Sequence, residues 1–172
     1  MTIHFTYLDL SSEVDGLDSA MLGPCIMCPA ATGAAKEQEP MLKIVRSPFK
    51  SAPLERYIKT MQSHLAEKGV RTDVFKSYLY HQWFLCMWTG GRRENLRRRA
   101  RGHDAVIVLG CDSATETVRE AVEASDCKVI EGMKVSGIMN AQLSFQLPGN
   151  IGFDNCRIVP ISGLEQEETP AH

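Results

Sequence analysis

Apolar positions along the chain follow two periods, and the switch between them outlines the fold. Ala105-Val-Ile-Val-Leu109 is an unbroken apolar run rich in β-branched residues, the pattern of a strand buried on both faces. Beyond it the period changes, and Ala114, Val118, Ala121 and Val122 share one face of a helix. Ser113 and Glu116 have the Ser-x-x-Glu spacing of a capping box, which predicts a helix start at Ser113. Gly110, Cys111 and Asp112 form the turn between strand and helix.

The same strand-and-helix alternation extends over much of the chain. Leu54, Tyr57, Ile58, Met61 and Leu65 follow helical spacing, with Ser51 placed to cap, Pro53 in the first turn and Gly69 as the stop. Short strands are predicted before this helix at Met41–Arg46 and after it at Val70–Phe75. Ile3–Leu10 and Cys127–Glu131 read as further strands. Arg92–His103 reads as a helix with Leu96 and Ala100 facing inward. From Met133 to Ile161 the pattern predicts several short strands, with Leu143, Phe145 and Leu147 alternating with Ser144 and Gln146 around a Pro148-Gly-Asn150 turn. Ser11–Pro40, rich in Gly, Ala, Pro, Ser and acidic residues, is expected to be a long loop. Tyr78–Trp88 is the densest aromatic stretch and reads as core, a pocket wall or a covered subunit face.

This order predicts an α/β protein: a three-layer core with a mostly parallel sheet and a β-rich C-terminal extension. The expectation is a single domain over residues 1–162, with the cysteine-containing loop at 11–40 and a flexible polar tail at 163–172. A length of 172 residues suits one such core. Hydrophobic residues make up 44% and the net charge is −2, so no global attraction to nucleic acid or membrane is expected. No apolar run is long enough to span a bilayer, and Met1-Thr-Ile-His-Phe5 lacks a signal-like basic and apolar sequence. The cytoplasm is the expected location, where the six cysteines would be thiols, metal ligands or redox groups.

Candidate chemistry gathers at predicted carboxyl ends of strands, where open α/β sheets hold their ligands. Cys111 and Asp112 are the candidate catalytic pair, a thiol and a carboxylate before a helix N-terminus, where free amides favour a thiolate or a bound anion. The plainer alternative is a small buried hydrophobe beside a helix cap. Cys25-Ile-Met-Cys28 has C-x-x-C spacing and can form a disulfide or chelate zinc or an iron–sulfur cluster. A redox site of the thioredoxin type would follow a strand directly. About a dozen residues separate Cys25 from the strand ending at Leu10, which makes that placement a poor fit. A metal would need more ligands from Cys86, Cys111, His81 or His103. Arg46, Ser47, Lys50 and Ser51 at one helix entrance, with Ser113 at the other, are candidates for holding an anionic ligand.

Three functions remain open on these residues. The first is a thiol- or metal-dependent enzyme, or a component of an enzyme complex. The second is a non-catalytic subunit that docks an acidic partner through the six arginines of Arg92–His103. The third is a binding domain for an anionic small molecule, although no Gly-rich phosphate fingerprint is present. An acidic protein or small anion ranks above nucleic acid, because no aromatic residues interleave with the arginines. A second copy of the chain is a further candidate partner.

Overall fold

The computed structural model describes residues 2–43, 50–76, 85–146 and 149–161. In chain order the elements are β1 (Thr2–Tyr7), β2 (Ser19–Pro24), α1 (Cys28–Glu37), β3 (Leu42–Lys43), α2 (Ala52–Glu67) and β4 (Arg71–Val74). A single 3-10 turn (Leu85–Met87) follows, then α3 (Gly90–Ala100), β5 (Ala105–Leu109), α4 (Asp112–Val122), β6 (Lys128–Glu131), β7 (Met133–Gln146) and β8 (Asn150–Pro160). The chain belongs to the mixed α/β class, but its strands form two sheets. One is parallel, in the order β4-β2-β5-β6, and the other antiparallel, in the order β1-β7-β8-β3.

The parallel sheet corrects the expectation of a loop over 11–40. That segment holds β2, which is buried at all six positions, and the whole of α1. Ser-Ala-Met-Leu-Gly-Pro has no β-branched residue and no alternation, so its strand character comes from two flanking partners, β4 and β5. Asp104 pins the start of this pairing, accepting hydrogen bonds from the Asp18 and Ser19 N–H groups at 3.0 and 2.8 Å. In α1, Ala30, Ala31 and Ala34 supply helix propensity and a thin apolar face. That face lets α2 approach closely: a Cβ on Gly33 would lie 3.0 Å from the Pro53 Cβ.

Alternate residues of the central strands divide between two apolar clusters. Ala20, Leu22, Ala105, Ile107 and Leu109 join one with residues of α1 and α2, and Met21, Val106 and Val108 join the other with residues of α3 and α4. The expected inward residues of α2, α3 and α4 are buried, apart from a half-buried Tyr57. Full burial of each Val, Leu or Ile contributes about 1.5–3 kcal/mol, so these strands carry a large share of the stabilising burial.

The C-terminal region is the second correction. Two long strands of 14 and 11 residues replace the several short ones expected. They pair as a hairpin, with β1 beside β7 and β3 beside the start of β8. β1 and β3, the latter within the expected Met41–Arg46 strand, therefore belong to the antiparallel sheet, and residues 44–46 lie outside the described residues. Arg46, Ser47, His81, the 147–148 part of the turn and the 163–172 tail lie outside the described residues.

Candidate functional site

β2 lies between β4, which follows it in the chain, and β5, which lies on its other side. The strand order thus reverses between β2 and β5, the position where open sheets of this kind leave a crevice at their carboxyl ends. Pro24 is in register with Leu109, and the Cys25 N–H donates to the Leu109 carbonyl at 2.9 Å. Both strands therefore leave the sheet side by side. One continues as Cys25-Ile-Met-Cys28 into α1, the other as Gly110-Cys111-Asp112 into α4.

This arrangement overturns the objection to the C-x-x-C motif. Cys25 follows β2 directly and Cys28 opens α1, so the motif occupies the strand-to-helix position that the undetected strand had concealed. Gly110 makes the close approach of the two turns feasible. A Cβ there would lie 2.9 Å from the Ala114 Cβ and 3.5 Å from the Cys25 Cβ. Cys111 is the N-cap residue of α4, and its carbonyl accepts from the Ala114 and Thr115 N–H groups.

The thiols differ in environment. Cys25 is 7% exposed, Cys28 and Cys111 are half-buried, and Cys86 on the 3-10 turn is exposed. Burial pushes the Cys25 thiol up, against the pull of the Leu85 and Met27 N–H groups at its sulfur. Burial also pushes the Cys28 thiol up; the Ile3 N–H opposes it, and nearby Cys111 and Cys86 add to the rise. Cys25, Cys28, Cys111 and Cys86 therefore form one neighbourhood. Cys127 precedes β6 beside Asp104, near the amino end of β5, and Cys156 is exposed on β8. Among the described residues, no three His, Cys, Asp or Glu side chains converge closely enough to hold a metal ion.

The other candidates are not gathered there. The capping box does not form: α4 starts at Asp112, no side chain caps it, and Glu116 pairs with Arg119 instead. Ser113 is an exposed residue of the first turn whose carbonyl accepts from the Thr117 hydroxyl. Asp112 is exposed beside Cys111, and Lys50 is exposed before α2. Ser51 is fully buried at the N-cap of α2, but its hydroxyl makes no capping bond. The His103 ring meets the Arg99 carbonyl at 3.1 Å, as a helix-end histidine does.

Several arginines of α3 are engaged within the chain. Arg93 pairs with Glu120, Arg97 with Glu94, and Arg99 with Asp73 while lying over the Phe75 ring. The placement of β2, not visible in the residue pattern, is what brings Cys25 and Cys28 to Cys111. The signal available in the sequence was the Gly-Pro-Cys breaker after a short apolar run.

No protein-family model matches the chain, and neither a curated protein nor a solved structure matches it. Among the described residues, no helix is long and apolar enough to cross a membrane.

Proposed function

We propose that this chain is a thiol-dependent redox protein, an enzyme or a component of an enzyme complex, acting on disulfides at the carboxyl ends of β2 and β5. The observation that carries this reading is the adjacency of two cysteine-bearing turns where the strand order reverses. In the proposed reaction the Cys111 thiolate attacks a substrate disulfide, forming a mixed disulfide and releasing one substrate thiol. Cys28 then attacks the Cys111 sulfur, releasing the second substrate thiol. Cys25 next attacks Cys28, freeing Cys111 and leaving a Cys25–Cys28 disulfide. The substrate disulfide gains two electrons and two protons, and the Cys25–Cys28 dithiol loses them. Asp112, beside Cys111, is placed to accept or orient a proton.

The raised thiols of Cys25 and Cys28 suit a storage pair, because a high-pKa thiol is a poor leaving group and its disulfide exchanges slowly. The division of core residues into two clusters supports the parallel sheet as the middle of a three-layer unit within one domain. Zinc or an iron–sulfur cluster is the competing use of the same sulfurs.

The test is mass-spectrometric disulfide mapping after equilibration in glutathione buffers of graded poise, with metal analysis of protein purified without oxygen. We expect a reversible Cys25–Cys28 disulfide that forms without involving Cys127 or Cys156. In Cys25→Ser protein, oxidation should stop at Cys28–Cys111. Stoichiometric metal shielding these thiols would overturn the reading, as would a folded protein in which they never pair.

A further inference from the structure

Six of the large apolar side chains that stand exposed among the described residues lie on or just beyond the β7–β8 hairpin: Ile138, Leu143, Phe145, Ile158, Val159 and Ile161. Phe145 is the most exposed of these, at 67%. From Asp154 to Pro160 every residue of β8 is exposed, so neither face of that half-strand is closed over. One edge of β8 pairs with β7 along the hairpin, while the other meets β3 only at Asn150 and Ile151. Past Ile151 this edge has no strand partner among the described residues. A strand with an open edge, here carrying Ile158 and Val159 beside Asp154 and Arg157, can template a further strand.

We propose that the occupant is a second copy of this chain, joined edge to edge through β8 about a two-fold axis between Asn155 and Cys156. Charge selects the copy and the direction. In an antiparallel alignment about that midpoint, Asp154 of each copy opposes Arg157 of the other, and Phe153 opposes Ile158. A parallel alignment in register would set Asp154 against Asp154 and Arg157 against Arg157, which is unfavourable across a strand pair. The interface is therefore self-complementary, as a two-fold contact must be. β8 carries a bulge there: Asn155 has φ of 51°, and the pairing with β7 shifts between Asn140 and Gln142. The axis passes through this bulge, so both copies bend at one shared point and pair on either side of it. Backbone hydrogen bonds along the edge and the cross-strand contact of Phe153 with Ile158 supply the attraction, with the paired charges setting the register.

The test is sedimentation velocity over a range of protein concentrations, on the wild type and on charge variants at positions that touch neither the cysteine neighbourhood nor the core. The wild type should reach a dimer at a concentration where Arg157→Asp and Asp154→Arg each stay monomeric. The double variant D154R/R157D should recover the dimer, because the swap restores both opposed pairs. Circular dichroism matching the wild type would show that the single variants remain folded. A wild type that is monomeric at all concentrations would overturn the proposal, leaving the edge shielded by its bulge or reserved for a different partner. A dimer indifferent to both single variants, or one that the double variant fails to recover, would overturn it equally.

Discussion

β5 and β8 both carry adjacent Ile and Val residues, and these end in opposite situations. Ala105–Leu109 is wholly buried, with a parallel neighbour on each edge and an apolar cluster on each face. Asp154–Pro160 carries Ile158 and Val159 and leaves both largely exposed, at 46% and 44%. The contrast teaches that an apolar strand takes its energetic meaning from its neighbours. β5 holds the fold together and sets the position of Cys111, whereas the outer half of β8 leaves much of its surface exposed.

Two isoleucines separate the buried strand from the exposed one most directly. Ile107→Ala, in the buried strand, is expected to destabilise the fold by about 2–5 kcal/mol, a large fraction of a typical domain's stability. Ile158→Ala, measured at low protein concentration, should change it by no more than about 0.5 kcal/mol. Urea unfolding of both variants measures the difference. Equal losses would mean that β8 is buried in the isolated chain and that the contrast is false.

The joint between the two sheets gives the next effect. Gly132 lies between β6 and β7, and its N–H donates to the Val108 carbonyl at 2.9 Å. A Cβ there would fall 2.6 Å from the Leu109 Cδ2 and 3.0 Å from the Val108 carbonyl oxygen. Gly132→Ala should therefore cost about 1–3 kcal/mol through overpacking against β5. A melting temperature unchanged from the wild type would show that β5 and the start of β7 can separate freely.

The thiols sharpen the contrast with smaller effects. Cys156 should react with a maleimide before Cys25 in native protein, as peptide mapping after brief labelling can establish, because one is exposed and the other buried. Burial, and then the Asp104 carboxylate, push the Cys127 thiol up to about 11 from an ordinary 9.0. Between those values the folded chain binds more protons than the unfolded one, so stability declines as pH rises through that window. Cys127→Ser should flatten the alkaline fall of the urea midpoint. An unchanged slope would assign the fall to other groups.

Residue periodicity was enough to locate the apolar run of β5, the buried faces of α2, α3 and α4, and a candidate site at Cys111. Each of those signals is local: a continuous apolar run or a 3.6-residue repeat follows from how one element meets a core. β2 lacked such a signal, since Ser-Ala-Met-Leu-Gly-Pro gains its strand geometry from β4 and β5, partners distant in the chain. The interrupted box at Ser113 and Glu116 shows the reverse case. The local pattern was present, but Glu116 found Arg119 and the helix began one residue earlier.

What the residues determined alone was an α/β chain with a thiol at a strand end and a C-x-x-C pair somewhere before it. Tertiary structure decided that these belong together, because only the sheet order β4-β2-β5-β6 sets Pro24 beside Leu109. It also decided that β1 and β3 join the C-terminal hairpin rather than the parallel sheet. Strand pairing is a property of two segments and the space between them, and neither segment carries that information by itself.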